Sequence, residues 1–205
     1  MDGLKSTSTQ QRRGVEPIVL ARRILLRSQG IFFLLLAICI GISHGAAART
    51  DGISFYGVFH RTIVLLLLGF CVAATGLWRA ASCFAQGSAP LLVRRVMRLV
   101  AVGLFGLLIT PFNRGSFLNW SHMTIGVSIA LLQMSVALSL VARVPSPRSS
   151  GGLVVLLLGG VLAAASLPDW NFPYLLPGEV IYQLGFGWCL VEWTHVLYGR
   201  RERYV

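Results

Sequence analysis

Six blocks of nearly unbroken apolar residues run along the chain, separated by short stretches where charges, prolines and glycines collect. The blocks lie at about 30–47, 61–81, 96–113, 122–142, 151–168 and 178–198. Each holds roughly 18 to 21 residues, and at 1.5 Å per residue that crosses a hydrocarbon layer of about 30 Å. Their continuous apolarity excludes a transmembrane β-barrel, whose strands alternate. The pattern predicts an all-α integral membrane fold, a six-transmembrane helix bundle over residues 29–198 with a basic tail at 199–205. Of the N-terminal tail, 1–28, residues 1–14 read as disordered and 15–28 (VEPIVLARRILLRS) as a basic interfacial segment. A cleaved signal peptide ending near Ala46-Ala47-Ala48 is the competing reading, set aside because the run from Ile31 is close to a full span. PSPRSSGG, Pro145 to Gly152, reads as a hinge before the fifth block.

Composition agrees with the pattern. Of 205 residues 55% are hydrophobic and 12% charged, where a soluble domain carries about 25% charged. A net charge of +11 would suggest nucleic acid on a soluble protein, but the distribution of the arginines gives it another meaning. With six spans, one side of the membrane holds Lys5, Arg12, Arg13, Arg22, Arg23, Arg27, Arg79, Arg94, Arg95, Arg98, Arg143, Arg148, Arg200, Arg201 and Arg203; the other holds only Arg49, Arg61 and Arg114. By the positive-inside rule both the N-terminus and the C-terminus are then cytoplasmic. The charge becomes a topology signal with affinity for anionic lipid, and no nucleic acid partner is expected. Cys39, Cys71, Cys83 and Cys189 lie in or just after apolar runs and read as small core residues without disulfides.

Polar groups at membrane depth are costly, so each is a functional candidate. His44, Asp51, His60, Asn113, Arg114, His122, Asp169 and Glu179 all fall on the outer side or in the outer helical turns. On the fourth block His122 and Gln133 are 11 residues apart, which returns to within about 20° of one direction. On the sixth, Glu179, Tyr182 and Gln183 share a face. Two polar stripes descending from the outer surface imply an outward-opening pocket, its outer residues including Ser54, Tyr56, His44, His60, Asn113, Arg114 and Asp169, its deeper ones Gln133 and Gln183. Glu179 and His122 are the catalytic candidates, as acid or base and partner. No HxxxH, HExxH or CxxC spacing preorganises a metal site, so no metal and no cofactor are expected. Glu192, deep in the sixth block with His195 three residues on, reads as an intramembrane ion pair with a cation.

DGISFYG (Asp51–Gly57), NWSHMTIGVSIAL and PGEVIYQLGFGWCL together resemble the DRAM-like six-helix membrane proteins and their bacterial relatives. The positions that carry the resemblance are Ile53, Ser54, Gly57, His122, Glu179, Phe186, Gly187 and Trp188. It implies a six-helix bundle and membrane residence, and no reaction. Phe55-Tyr56 departs from the Tyr pair frequent in the bacterial relatives.

The leading expectation is a non-enzymatic, multi-pass protein of a bacterial cell (inner) membrane. It would bind membrane lipid or a small amphiphile in the outward polar pocket and support envelope function, a membrane-protein partner or a homodimer. The alternative is a membrane-embedded enzyme performing acid–base chemistry on a lipid or isoprenoid. A small-solute transporter comes third, because no second acid at mid-depth completes a proton relay.

Overall fold

The computed structural model describes residues 3–43, 45–85, 91–166 and 172–202. Among them the chain is helical throughout: α1 (Gly3–Ile42), α2 (Ala46–Asp51), a 3-10 turn (Gly52–Gly57), α3 (Ile63–Ala85), α4 (Leu91–Ile109), α5 (Ser116–Arg143), α6 (Pro147–Ala165) and α7 (Leu175–Glu202). Each apolar block becomes one long helix. Four helical stretches, Pro17–Ile42, Ile63–Phe84, Ser116–Arg143 and Pro147–Ala165, are long and apolar enough to cross a membrane. The other two long helices are interrupted by charge, α4 by Arg94, Arg95 and Arg98 and α7 by Glu179 and Glu192.

Two local expectations change. The first helix takes in residues 3–14, expected to be disordered, and runs unbroken through Pro17 to Ile42. Pro17, inside this helix, has no N–H to donate, so the i→i−4 ladder lacks one bond there while the helix continues on both sides. The expected hinge at Pro145–Gly152 is instead a helix start. Ser146 is the N-cap of α6, with its side chain accepting from the Ser149 N–H while Ser149 Oγ accepts from the Ser146 N–H, and proline occupies the first turn.

Helices α1, α3, α4, α5 and α7 close a ring by successive contacts, α1 returning to α7, and α6 lies against α7. Leu25, Leu36, Leu66, Leu77, Met97 and Leu190 are buried in the middle. Outward-facing positions are as apolar as the core: Leu34 is 61% exposed, Val64 64% and Val161 66%. A helix apolar on its outer face as well as its inner one is built for lipid.

The closest approach is between α6 and α7, and glycine makes it. A Cβ added at Gly185 would strike Leu156 Cα at 2.6 Å, and one at Gly178 would lie 2.5 Å from the Ala163 nitrogen. One at Gly159 would run into the backbone of Tyr182. In lipid such backbone-to-backbone contact is a main source of helix association. Elsewhere Gly69 abuts Phe32 and Leu35, and Gly160 abuts Tyr182, whereas Gly126 has nothing within 4 Å.

This seam predicts opposite signs for one chemical change. Gly185→Ala should lower the unfolding midpoint in detergent, overpacking costing about 1–3 kcal/mol. Gly126→Ala should raise it by up to about 1 kcal/mol through helix propensity alone. Thermal melts of the two variants provide the comparison.

Candidate functional site

The segment joining α1 to α3 is short helix α2 followed by the 3-10 turn, and three hydrogen-bonded anchors fix it. Thr62, fully buried, donates from Oγ1 to the Tyr56 carbonyl at 3.0 Å and so ties the turn to the start of α3. The Ile53 N–H donates to Glu179 Oε2 at 2.6 Å. Ser54 Oγ lies 2.7 Å from His122 Nε2. The turn is thereby tied to α7 and to α5 through adjacent residues.

Gly52 makes the α7 anchor geometrically allowed. Its φ is +69°, a left-handed value that costs a residue with a side chain about 1–2 kcal/mol. The Glu179 carboxyl occupies the space where a Cβ would go, its Cδ only 2.8 Å from that point. The carboxyl therefore lies flat on the glycine while it receives the next residue's N–H.

The α5 anchor fixes a tautomer. His122 Nδ1 is 2.6 Å from the Thr110 carbonyl, just past the end of α4. A carbonyl only accepts, so Nδ1 carries the hydrogen and, in the neutral ring, Nε2 presents a lone pair. The Ser54 hydroxyl then donates to Nε2. Ser54, His122 and Thr110 are all part-buried. At the same end of the bundle three apolar side chains are directed outward: Ile109 is 77% exposed, Phe117 80% and Trp120 68%. Phe112 lies against the imidazole with ring centroids 5.9 Å apart.

About 16 Å deeper along α5, at 1.5 Å per residue, Gln133 and Gln183 form a reciprocal amide pair with N–O distances of 2.9 and 3.2 Å. Gln133 is 1% exposed. Tyr182 donates from its hydroxyl to the Ala130 carbonyl. The deep ends of the two polar stripes thus satisfy each other between α5 and α7.

The remaining candidates divide. Glu179 and His122, paired with each other in the sequence reading, have different partners: Glu179 holds Ile53 and His122 holds Ser54. Tyr56 is fully buried with a hydroxyl that has no hydrogen-bond partner, and burial, with Cys39 adding to it, pushes the phenol above its ordinary range. His60, Asn113 and Arg114 are exposed, and His60 packs on Phe59 at 4.9 Å. His44 and Asp169 lie outside the described residues. Among the described residues Glu192 and His195 make no ion pair with each other, and His195 is exposed on the helix surface. Nor do three His, Cys, Asp or Glu side chains gather as metal ligands would. A cavity of about 280 Å³ opens at the other end of the bundle, lined by Ile18, Val19, Arg22, Arg23, Leu26 and Thr194.

Sequence reasoning missed Gly52 and the Thr110 carbonyl. The Asp51-Gly52 dipeptide is a turn signal that favours positive φ at the glycine, and could have marked the first. Nothing in sequence announces which backbone carbonyl an imidazole will find. Comparison with known protein families, with curated proteins and with solved structures returns no match for the chain.

Two outcomes follow. Gly52→Ala should release the segment as Glu179→Ala does, because each removes the carboxyl from Ile53, and trypsin should then cut after Arg49 and Arg61 several-fold faster than in the wild type. Gln133→Leu should cost about 0.5–2 kcal/mol by leaving Gln183 unpaired, with Gln133→Leu/Gln183→Leu recovering most of it. Melts of single and double variants read the second outcome.

Proposed function

We propose that this chain is a multi-pass protein of a bacterial inner membrane with six spans and both termini cytoplasmic. In this reading α4 and α7 are the two further crossings, since they close the ring with the more apolar α1, α3 and α5, and α7 also carries the more apolar α6. The uneven arginine distribution supports the orientation. Kinship with the DRAM-like proteins belongs to the same proposal, on the positions Ile53, Ser54, Gly57, His122 and Glu179.

Its function is to bind a lipid headgroup or a small amphiphile at the outer polar layer, in support of envelope function or a partner complex. The observation carrying this is the combination at one end of the bundle of the Ser54–His122 and Ile53–Glu179 hydrogen bonds with an exposed rim of Ile109, Phe117 and Trp120. Polar groups and an apolar rim at the same end of the bundle suit an amphiphile whose head and chain part company at that depth. Arg114, exposed in the same turn between α4 and α5, offers a cation to an anionic head. A second reading, a membrane-embedded enzyme, is favoured by one specific feature: His122 holds a hydroxyl on its free nitrogen.

Native mass spectrometry of the protein released from native membranes tests the binding. Lipid or amphiphile adducts are expected on the wild type and should be depleted in His122→Ala/Glu179→Ala. An adduct-free wild type, or adducts indifferent to that double substitution, would count against the proposal.

A further inference from the structure

We propose that Ser54 is a nucleophile and His122 its general base, and that the pair cleaves an ester bond of a membrane amphiphile. The inference rests on the amphiphile-binding reading and names the chemistry of the same site.

The geometry meets the conditions for an activated hydroxyl. Oγ and Nε2 are 2.7 Å apart, within the reach that base-assisted attack requires. A third group orients the base, as the Thr110 carbonyl at 2.6 Å holds Nδ1–H and turns the Nε2 lone pair toward the serine. The nucleophile itself sits on a backbone pinned at the preceding residue by Glu179. The backbone that carries Ser54 therefore cannot move away from the imidazole without breaking a second anchor, and such preorganisation separates a reactive pair from a casual surface contact.

The substrate class follows from the surroundings. Exposed Ile109, Phe117 and Trp120 lie at the same end of the bundle as the relay, and Trp collects where hydrocarbon gives way to headgroups. Ester bonds of acyl lipids lie at that boundary. In the first step Ser54 Oγ bonds to the ester carbonyl carbon as its proton passes to Nε2. The tetrahedral adduct collapses with cleavage of the carbon–oxygen bond, and the departing alcohol takes the proton from Nε2. Water then gives a proton to Nε2 and adds to the acyl-serine. Collapse releases the fatty acid and returns the proton to Ser54. Water is the only co-reactant, and His122 ends as it began.

A long-chain alkyl fluorophosphonate provides the test on the full chain in detergent: Oγ bonds to phosphorus, fluoride leaves, and the hydroxyl proton goes to Nε2. Intact mass and peptide mapping should place one adduct on Ser54 in the wild type and none in Ser54→Ala. His122→Gln should slow labelling by about 100-fold, the lower end of what a general base contributes. If that variant fails to fold, the wild-type rate against pH decides instead: it should rise across about pH 5–8, the range where a histidine becomes available as a base. No adduct at Ser54, or a rate indifferent to both His122 and pH, overturns the proposal. Lipid retained in native spectra without labelling would sink the chemistry alone, whereas absence of both would sink the binding reading as well.

Discussion

The organisation of the bundle end where α1 passes to α3 depends on one contact, the Glu179 carboxyl resting on Gly52 and receiving the Ile53 N–H. A carboxyl near the end of a largely apolar helix is expensive to bury unless something donates to it. Here the donor is the backbone of a connecting segment that otherwise has few fixed partners. Only a glycine in the left-handed region lets the carboxyl come close enough. Each group therefore solves the other's problem, and the segment acquires a single position above α7.

That contact has meaning because α7 is itself held in place. Gly178 is part of the α6–α7 seam, where backbone meets backbone, and Glu179 is the next residue. The seam sets the height of the carboxyl, the carboxyl sets the height of Ile53, and Ser54 follows by covalent geometry. From the other side, α5 carries His122 and the α4 terminus supplies the Thr110 carbonyl that turns its ring. Five segments (α4, α5, α6, α7 and the 3-10 turn) thus converge on one hydroxyl–imidazole distance. Small residues in the membrane and polar groups at its edge act in series rather than as separate stabilising features.

The apolar blocks made the number and order of the long helices legible, because 18 or more apolar residues cannot be accommodated as anything but a helix in lipid. Most helix ends shifted by a few residues, and the first helix begins at Gly3, far ahead of its apolar block. Caps such as Ser146 act through side-chain geometry that a hydrophobic pattern does not encode. Within the site, the inward stripes were legible for a simple reason: Gln133 and Gln183 each had nowhere apolar to go, and they met. The pairing of Glu179 with His122 was not. Both residues lie at the same end, and periodicity fixes a direction on each helix without saying what intervenes. What intervenes is the 3-10 turn, which takes one bond from each. A loop's path depends on positive φ at a single glycine, a degree of freedom invisible to any periodic reading.

The vertical order of the polar groups carries a further implication. Beside the 3-10 turn they are part-buried and bonded to the segment between α1 and α3, His122 to the Ser54 hydroxyl and Glu179 to the Ile53 N–H. About 16 Å down the same helix they are closed, two amides satisfying each other with Gln133 1% exposed. The reciprocal pair engages an N–H and the carbonyl of each amide, its Gln133 half is sealed from solvent, and apolar residues such as Val136 and Leu140 follow below it on α5. Conduction through the bundle would require that pair to part and leave both amides unsatisfied in a low-dielectric interior, a cost of about 1–3 kcal/mol for each group. An amphiphile entering from the rim needs no such opening: its chain can lie along the exposed apolar faces while its head meets Ser54, His122 and Arg114. The depth at which polarity closes therefore favours chemistry or binding at the membrane edge over transport through the middle.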